Sequence, residues 1–222
     1  MIRIHVICEG QTEESFVQNV LNEYFENREI FLYPSLLGIS GHKGGVVNYK
    51  RVFTDIKNHL NDTHSYVTTF FDFYGIDRNF PGYAQAANES DYKNRYEIIT
   101  KSLYEKICSD LNVNQIPRLI PYVQMHEFEG LLFSNVKLLA ESFGKSPQLI
   151  YDCAIRAEFD SPEEINNSPQ TAPSKRIVRA IPEYEKVTHG IIVSRKIGLK
   201  QIRAQCALFN QWITHLENLE EI

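Results

Sequence analysis

Ile2-Arg3-Ile4-His5-Val6-Ile7-Cys8-Glu9-Gly10-Gln11-Thr12-Glu13-Glu14 is the stretch that decides the fold. Residues 2–8 alternate, are rich in β-branched side chains and end at Glu9-Gly10, which is the composition of a strand. Thr12 then predicts the cap of a helix. Its apolar residues Phe16, Val17, Val20, Leu21, Tyr24 and Phe25 recur at helical spacing and form one buried stripe. Glu9 ends a buried strand, where a carboxylate is costly unless it is paired or set against a cation. Glu13 and Glu14 have an ordinary explanation, because acidic side chains in a first turn complement the helix dipole.

The pattern repeats outward. Residues 30–37 read as a second strand, followed by a glycine-rich loop with Gly38, Gly41, Gly44 and Gly45. A helix with Val52, Phe53, Ile56 and Leu60 on one side comes next. Residues 66–73 are nearly all apolar and predict a strand buried on both faces, stopping at Tyr74-Gly75. Residues 77–90 predict a loop. A helix from Ser90 or Asp91 carries Tyr92, Tyr96, Ile99, Leu103 and Ile107 inward. Residues 118–124 predict another strand and 128–143 a helix. Four prolines between Pro162 and Pro182 predict a long irregular excursion. Leu199, Ile202, Cys206, Phe209, Ile213 and Leu216 predict a last helix. Strands alternating with helices imply an α/β domain with a largely parallel sheet flanked by helices. We place this core at residues 1–134 and a helical, irregular C-terminal extension at 135–222.

Composition narrows the classes. The chain has 222 residues, 43% hydrophobic and 23% charged, which excludes a disordered chain. No apolar run approaches the roughly 18–20 residues that span a bilayer, and Glu9, Gln11, Glu13 and Glu14 interrupt any signal-peptide pattern at the start. Cys8, Cys108, Cys153 and Cys206 form no Cys-x-x-Cys pair, which argues against zinc fingers and fits reduced thiols in a cytoplasmic protein. Neither a Walker loop nor a Gly-x-Ser-x-Gly elbow is present. Residues 171–203 hold eight Lys or Arg against two Glu, a balance of +6, which leaves −11 for the rest of a chain whose total is −5. An acidic body with one basic segment suits a metal site beside a polyanion-binding strip. Charge alone favours the plainer reading, a set of solvated helix faces.

The acidic residues fall in an informative place. In open parallel sheets, ligands bind outside the carboxyl ends of the strands. Glu9 follows the first strand, Asp72 nears the end of the most apolar one, and Glu127 and Glu129 follow the last. Singly, Asp72 also reads as a turn or capping residue, Glu127 and Glu129 as a helix start, and His126 as a satisfied polar residue. Jointly, Glu9, Glu13, Asp72, Glu127 and Glu129 offer the hard oxygen ligands that magnesium prefers. Such ions activate water and stabilise the leaving oxygen in phosphodiester cleavage.

The strand–Glu9-Gly10-Gln11-Thr12-Glu13–helix opening resembles that of Toprim domains, particularly the nuclease branch of overcoming-lysogenization-defect proteins. There a glutamate follows the first strand and an Asp-x-Asp pair a later one. Asp72-Phe73-Tyr74 falls where the pair belongs, with Tyr74 in place of the second aspartate. A closer likeness covers most of the chain. Phe71-Asp72-Phe73-Tyr74-Gly75, Phe80-Pro81-Gly82, residues 126–134 from His126-Glu127-Phe128-Glu129-Gly130 on, Ala172-Pro173-Ser174-Lys175-Arg176, Ile197-Gly198-Leu199 and Ile202-Arg203-Ala204-Gln205-Cys206 are similar to the RloG-like family of Toprim-like bacterial proteins. In that family a tyrosine commonly replaces the second aspartate.

The resemblance implies a Toprim-like fold and a magnesium- or manganese-dependent nuclease that serves as effector of a companion ATPase in a bacterial defence system. It implies Glu9 and Asp72 as catalytic residues and Glu9, Glu13 and Asp72 as metal ligands, with Glu127 or Glu129 supplying the carboxylate that Tyr74 lacks. Lys175, Arg176 and Arg203 are then expected to neutralise phosphate oxygens of a nucleic acid. The alternative is a non-catalytic Toprim-fold subunit that binds the ATPase or nucleic acid.

Overall fold

A computed structural model describes residues 1–38, 45–154, 158–165 and 171–222. Gly41 and Gly44 of the glycine-rich loop lie outside the described residues. The chain divides into two units, Met1–Val123 with Leu216–Ile222, and Gln124–His215.

The first unit is α/β. Strand β1 (Ile2–Cys8) leads into helix α1 (Gln11–Phe16), which continues through a π-helical stretch (Val17–Leu21) into α2 (Asn22–Glu26). Strand β2 (Ile30–Leu36), helix α3 (Tyr49–Leu60) and strand β3 (Tyr66–Asp72) follow. Next come α4 (Tyr83–Ala87), α5 (Tyr92–Asp110), β4 (Leu119–Ile120) and β5 (Val123–Gln124). Four strands lie in the order β2-β1-β3-β4, and β5 also pairs with β3. The pairings of β1 with β2, β1 with β3 and β3 with β4 are all parallel. Because β2 and β3 flank β1 on opposite sides, the chain reverses its winding at β1. Right-handed crossovers then place the helices of the first two connections on opposite faces. Ile4, Ile7, Phe16, Phe25, Phe70 and Phe71 are fully buried, and Phe70 meets Phe16 and Tyr122 edge to face.

Edge strand β2 is protected by a side chain. Asn22 of α2 donates to the Leu32 carbonyl and accepts from the Leu32 amide, both at 3.0 Å. It satisfies a backbone unit that would otherwise invite another strand.

Several local expectations need correction. Gly10, not Thr12, is the N-cap of α1. The Glu13 carboxylate reaches back to accept the Gly10 amide at 2.9 Å, one half of a capping box. The loop expected at 77–90 contains α4. The strand expected at 118–124 is two two-residue strands either side of Pro121, which has no amide to give to a ladder. Thr68 and Thr69 of β3 bridge that break. Thr68 donates to the Ile120 carbonyl at 2.5 Å, and Thr69 donates to the Tyr122 carbonyl at 2.7 Å while accepting the Tyr122 amide at 2.9 Å.

The second unit is helical. It contains a 3-10 stretch (Phe128–Asn135), α6 (Val136–Glu141), α7 (Pro147–Ala154), α8 (Pro173–Ala180), α9 (Lys186–Ile197), α10 (Leu199–Gln205) and most of α11 (Ala207–Glu217). The first half of the helix expected at 128–143 is thus 3-10. Part of the expected excursion is α8, with Pro173 at its start, where proline loses no hydrogen bond. The expected last helix is broken at Cys206 into α10 and α11. Buried Glu163 sits at that break and accepts the Leu208 and Phe209 amides at 3.0 and 2.9 Å.

Thr69→Val tests the bridge at Pro121. It keeps the side-chain shape and leaves a buried amide and carbonyl of Tyr122 without their partner, so it should cost about 1–3 kcal/mol of unfolding free energy. Urea denaturation measures this, and an unchanged midpoint would show that the threonine hydroxyl is dispensable.

Candidate metal centre

Glu9 and Asp72 meet because β1 and β3 are neighbours in parallel register. Cys8, the last residue of β1, pairs with Phe70. The Glu9 amide continues the ladder by one step, donating to the Phe70 carbonyl at 3.1 Å. Two residues later β3 ends at Asp72, whose amide donates to the Glu9 carboxylate at 3.0 Å. Glu9 is half-buried and Asp72 is buried, with 9% of its surface exposed. Glu13 is also buried, and its carboxylate faces the Gly10 amide next to Glu9. The structure therefore brings Glu9 and Asp72 together at two strand ends, with Glu13 holding the turn that carries Glu9.

Gly75 belongs to this site and was read from the sequence only as a strand stop. It closes the 3-10 turn Phe73–Gly75 that follows β3. A β-carbon placed on it would lie inside 3.0 Å of the Glu9 carboxylate carbon and both its oxygens. The only signal available was the glycine itself. Its purpose depends on a side chain 66 positions earlier. Tyr74, between Phe73 and Gly75, is half-buried.

Glu127 and Glu129 lie in the second unit. Glu127 accepts the Ser174 amide in the first turn of α8 at 2.9 Å. Glu129 is 1% exposed, and Lys186, the first residue of α9, donates to it at 3.3 Å. The same ammonium lies 4.0 Å from Glu127. These two carboxylates therefore have a cation from the chain itself. Burial pushes the Glu129 carboxyl up to about 7, a shift that Lys186 opposes and Glu127 reinforces. Burial first, and Glu129 next, push the buried Tyr184 hydroxyl up. His126, which precedes Glu127, is buried with φ 67°, a left-handed conformation that histidine tolerates better than most residues.

The basic residues also lie in the second unit. Lys175 is exposed on α8. Arg176 is buried, and its Nε donates to the Thr171 carbonyl at 2.7 Å. Arg203 is half-buried and donates to Asn210 at 2.7 Å and Thr214 at 3.1 Å. Arg176 and Arg203 thus brace their own surroundings, and Lys175 is the member of the trio that faces solvent.

Among the described residues, no group of three or more His, Cys, Asp or Glu side chains is arranged to hold a metal ion. No helix of the described residues is long and apolar enough to cross a membrane.

Glu129 sets a pH dependence. Its folded value, about 7, exceeds its ordinary 4.5, so the ionised form costs stability. The cost is negligible below the lower value, grows as pH rises through the interval and is complete above the upper one. Between pH 5 and 8 it amounts to about 2–3 kcal/mol. Glu129→Gln should remove that part of the slope in urea melts at the two pH values. An unchanged slope would assign the titration to another group.

No curated protein and no solved structure matches the chain. Residues 8–217 match a family model described as Domain of unknown function (DUF4276). The match runs from the end of β1 through the last turn of α11 and takes in Glu9, Asp72, Gly75, Glu127 and Glu129, so the chain belongs to the DUF4276 family.

Proposed function

We propose that this protein is a Toprim-like, magnesium- or manganese-dependent phosphodiesterase acting on nucleic acid, serving as the effector partner of a companion ATPase. The observation that carries this reading is the meeting of Glu9 and Asp72 at adjacent strand ends, with the Asp72 amide on the Glu9 carboxylate. In doubly wound sheets the reversal point, here β1 and β3, opens a crevice at the carboxyl edge where ligands bind.

The donor set suits a hard cation. Magnesium keeps several waters and commonly takes one or two protein carboxylates plus substrate phosphate oxygens. Glu9 and Asp72 supply that number without a third protein ligand. Glu13 is engaged with Gly10 and serves by holding the turn. Asp72 would hold the cation, and Glu9 would share it or take the proton of an attacking water; a cation held there would supply charge neutralisation at the phosphate and acidify that water. The backbone amide of Asp72 fixes the Glu9 carboxylate in place. Glu127 and Glu129 act within their own unit with Lys186, and Lys175 provides a solvent-facing contact for polyanionic substrate.

A second reading is favoured by Tyr74, a phenol where Toprim nucleases carry their second aspartate. It is a non-catalytic Toprim-fold subunit that binds the ATPase or nucleic acid.

Cleavage of single-stranded DNA, double-stranded DNA and RNA, by the chain alone and with a companion ATPase, decides between them. The nuclease reading expects cleavage in magnesium or manganese, none in chelator, and a loss of at least ~100-fold in Glu9→Gln and Asp72→Asn with the fold retained. Full activity in Glu9→Gln would remove Glu9 from the mechanism. Absence of both cleavage and calorimetric metal binding by the wild type would leave the binding subunit.

A further inference from the structure

We propose that Gly75 is the positioning residue of the Glu9–Asp72 pair: the missing side chain at 75 is the space that the Glu9 carboxylate fills, and this sets where a divalent cation is held. The proposal rests on the reading of Glu9 and Asp72 as the cation-holding pair.

The argument starts from which side can move. The three atoms nearest a β-carbon at Gly75 are both oxygens and the carboxylate carbon of Glu9, all inside the 3.0 Å that real β-carbons essentially never show. Gly75 does not adopt a left-handed backbone, unlike Gly38, Gly45, Gly82, Gly144 and Gly198. Alanine is therefore conformationally permitted at 75, and the need for glycine there is one of space alone.

The backbone of Gly75 is braced. Its carbonyl accepts the Val47 amide at 2.9 Å, and the Asp77 amide donates to the Val47 carbonyl at 3.0 Å. Val47 and Ile76 thus form an isolated parallel bridge that holds this turn. The Ile76 amide also returns to the Phe73 carbonyl at 3.3 Å. Glu9, by contrast, meets position 75 with the carboxylate end of a side chain that turns about several single bonds. When a methyl group is added at 75, the carboxylate moves and the turn stays. Moving it breaks the bond from the Asp72 amide and takes the Glu9 carboxylate away from the end of β3. The effect on fold is small, because the chain still forms β1, β3 and the turn. The effect on cation affinity is large, because the donors are no longer pre-positioned.

The experiment follows the Asp72 amide by NMR, without metal, and manganese binding by calorimetry. Wild type, Gly75→Ala and the double variant Glu9→Ala with Gly75→Ala are compared. In wild type the Asp72 amide should be protected from exchange by its bond to the Glu9 carboxylate. In Gly75→Ala that protection should vanish and manganese affinity should fall at least tenfold, with Tm within about 3 °C of wild type. An unaltered Asp72 amide with unaltered manganese affinity in Gly75→Ala would overturn the proposal. If wild type binds no manganese while the amide still responds to Gly75→Ala, the cation reading fails and the positioning role stands. If Gly75→Ala does not fold, the double variant decides. Recovery of the fold on removing the Glu9 side chain supports the proposal. A double variant that stays unfolded shows that Gly75 is needed for something other than Glu9, and the proposal falls.

Discussion

The parallel pairing of β1 with β3 is the constraint on which the first unit depends. The chain order β2-β1-β3 makes β1 the point where winding reverses. The pairing of Cys8 with Phe70 then fixes which residues stand at the carboxyl edge. A register slip of one residue would turn every side chain of β3 to the other face of the sheet. Thr69 would then lose Tyr122, Phe70 would lose Phe16, and Asp72 would leave Glu9. One pairing therefore secures the core, the link to β4 and β5 across Pro121, and the meeting of the Asp72 amide with the Glu9 carboxylate. The wholly buried Phe70 and Phe71 each add roughly 2–3 kcal/mol to the driving force by leaving water.

The amount of this that was legible in the sequence follows from how local each signal is. Strands 2–8 and 66–73 and the helices around Val52 and Leu103 declared themselves by period, which is a property of neighbours along the chain. Asp91, one of the two residues at which the second of these helices was expected to start, does cap it, accepting from Lys93 and Asn94, whereas the cap of the first, Asn48, which accepts from Arg51, was not read. Thr12 was misread because Glu13, a first-turn acid by the dipole argument, instead reaches back to the Gly10 amide. The break at Pro121 was missed because 118–124 is apolar enough to read as one strand, and the threonines that repair it lie more than fifty residues away. The meeting of Glu9 and Asp72 at one sheet edge could be read, but the bond from the Asp72 amide to the Glu9 carboxylate and the space left by Gly75 could not. Those depend on which strands become neighbours.

The carboxylates divide by what their surroundings supply. Glu129 is almost wholly enclosed and meets Lys186, yet burial still outweighs that attraction and raises its carboxyl into the neutral range. Glu163 is as buried and is met by two backbone amides at the start of α11. Glu13 has the Gly10 amide in the same manner. Each is a local solution to one problem, a buried anion that needs donors or a countercharge. In Glu127 and Glu129 the positive charge comes from the chain, so a metal ion there would have to displace the Lys186 ammonium. This makes them the weaker candidates for metal ligands, despite a sequence position that matches the strand-end pattern.

The edge around Glu9 and Asp72 is held by elements that carry no acidic ligand themselves. Arg51 of α3 donates to the Leu37 carbonyl at 2.8 Å and to the Val46 carbonyl at 3.1 Å, on the two sides of the glycine-rich segment. Asp55, one turn further along α3, accepts the Gly38 amide at 2.7 Å. Val47 then bridges to Ile76, beside Gly75. A chain of hydrogen bonds thus runs from the end of β2, through the Arg51 and Asp55 side chains of α3, to the turn after β3. The geometry of Glu9 is fixed from two directions, by its own strand and by the turn that leaves room for it. A site built from two flexible carboxylates gains affinity chiefly by not having to order them on binding. On this argument the glycine and the bridge that braces it are parts of the candidate site, beside the acidic residues that the sequence made visible.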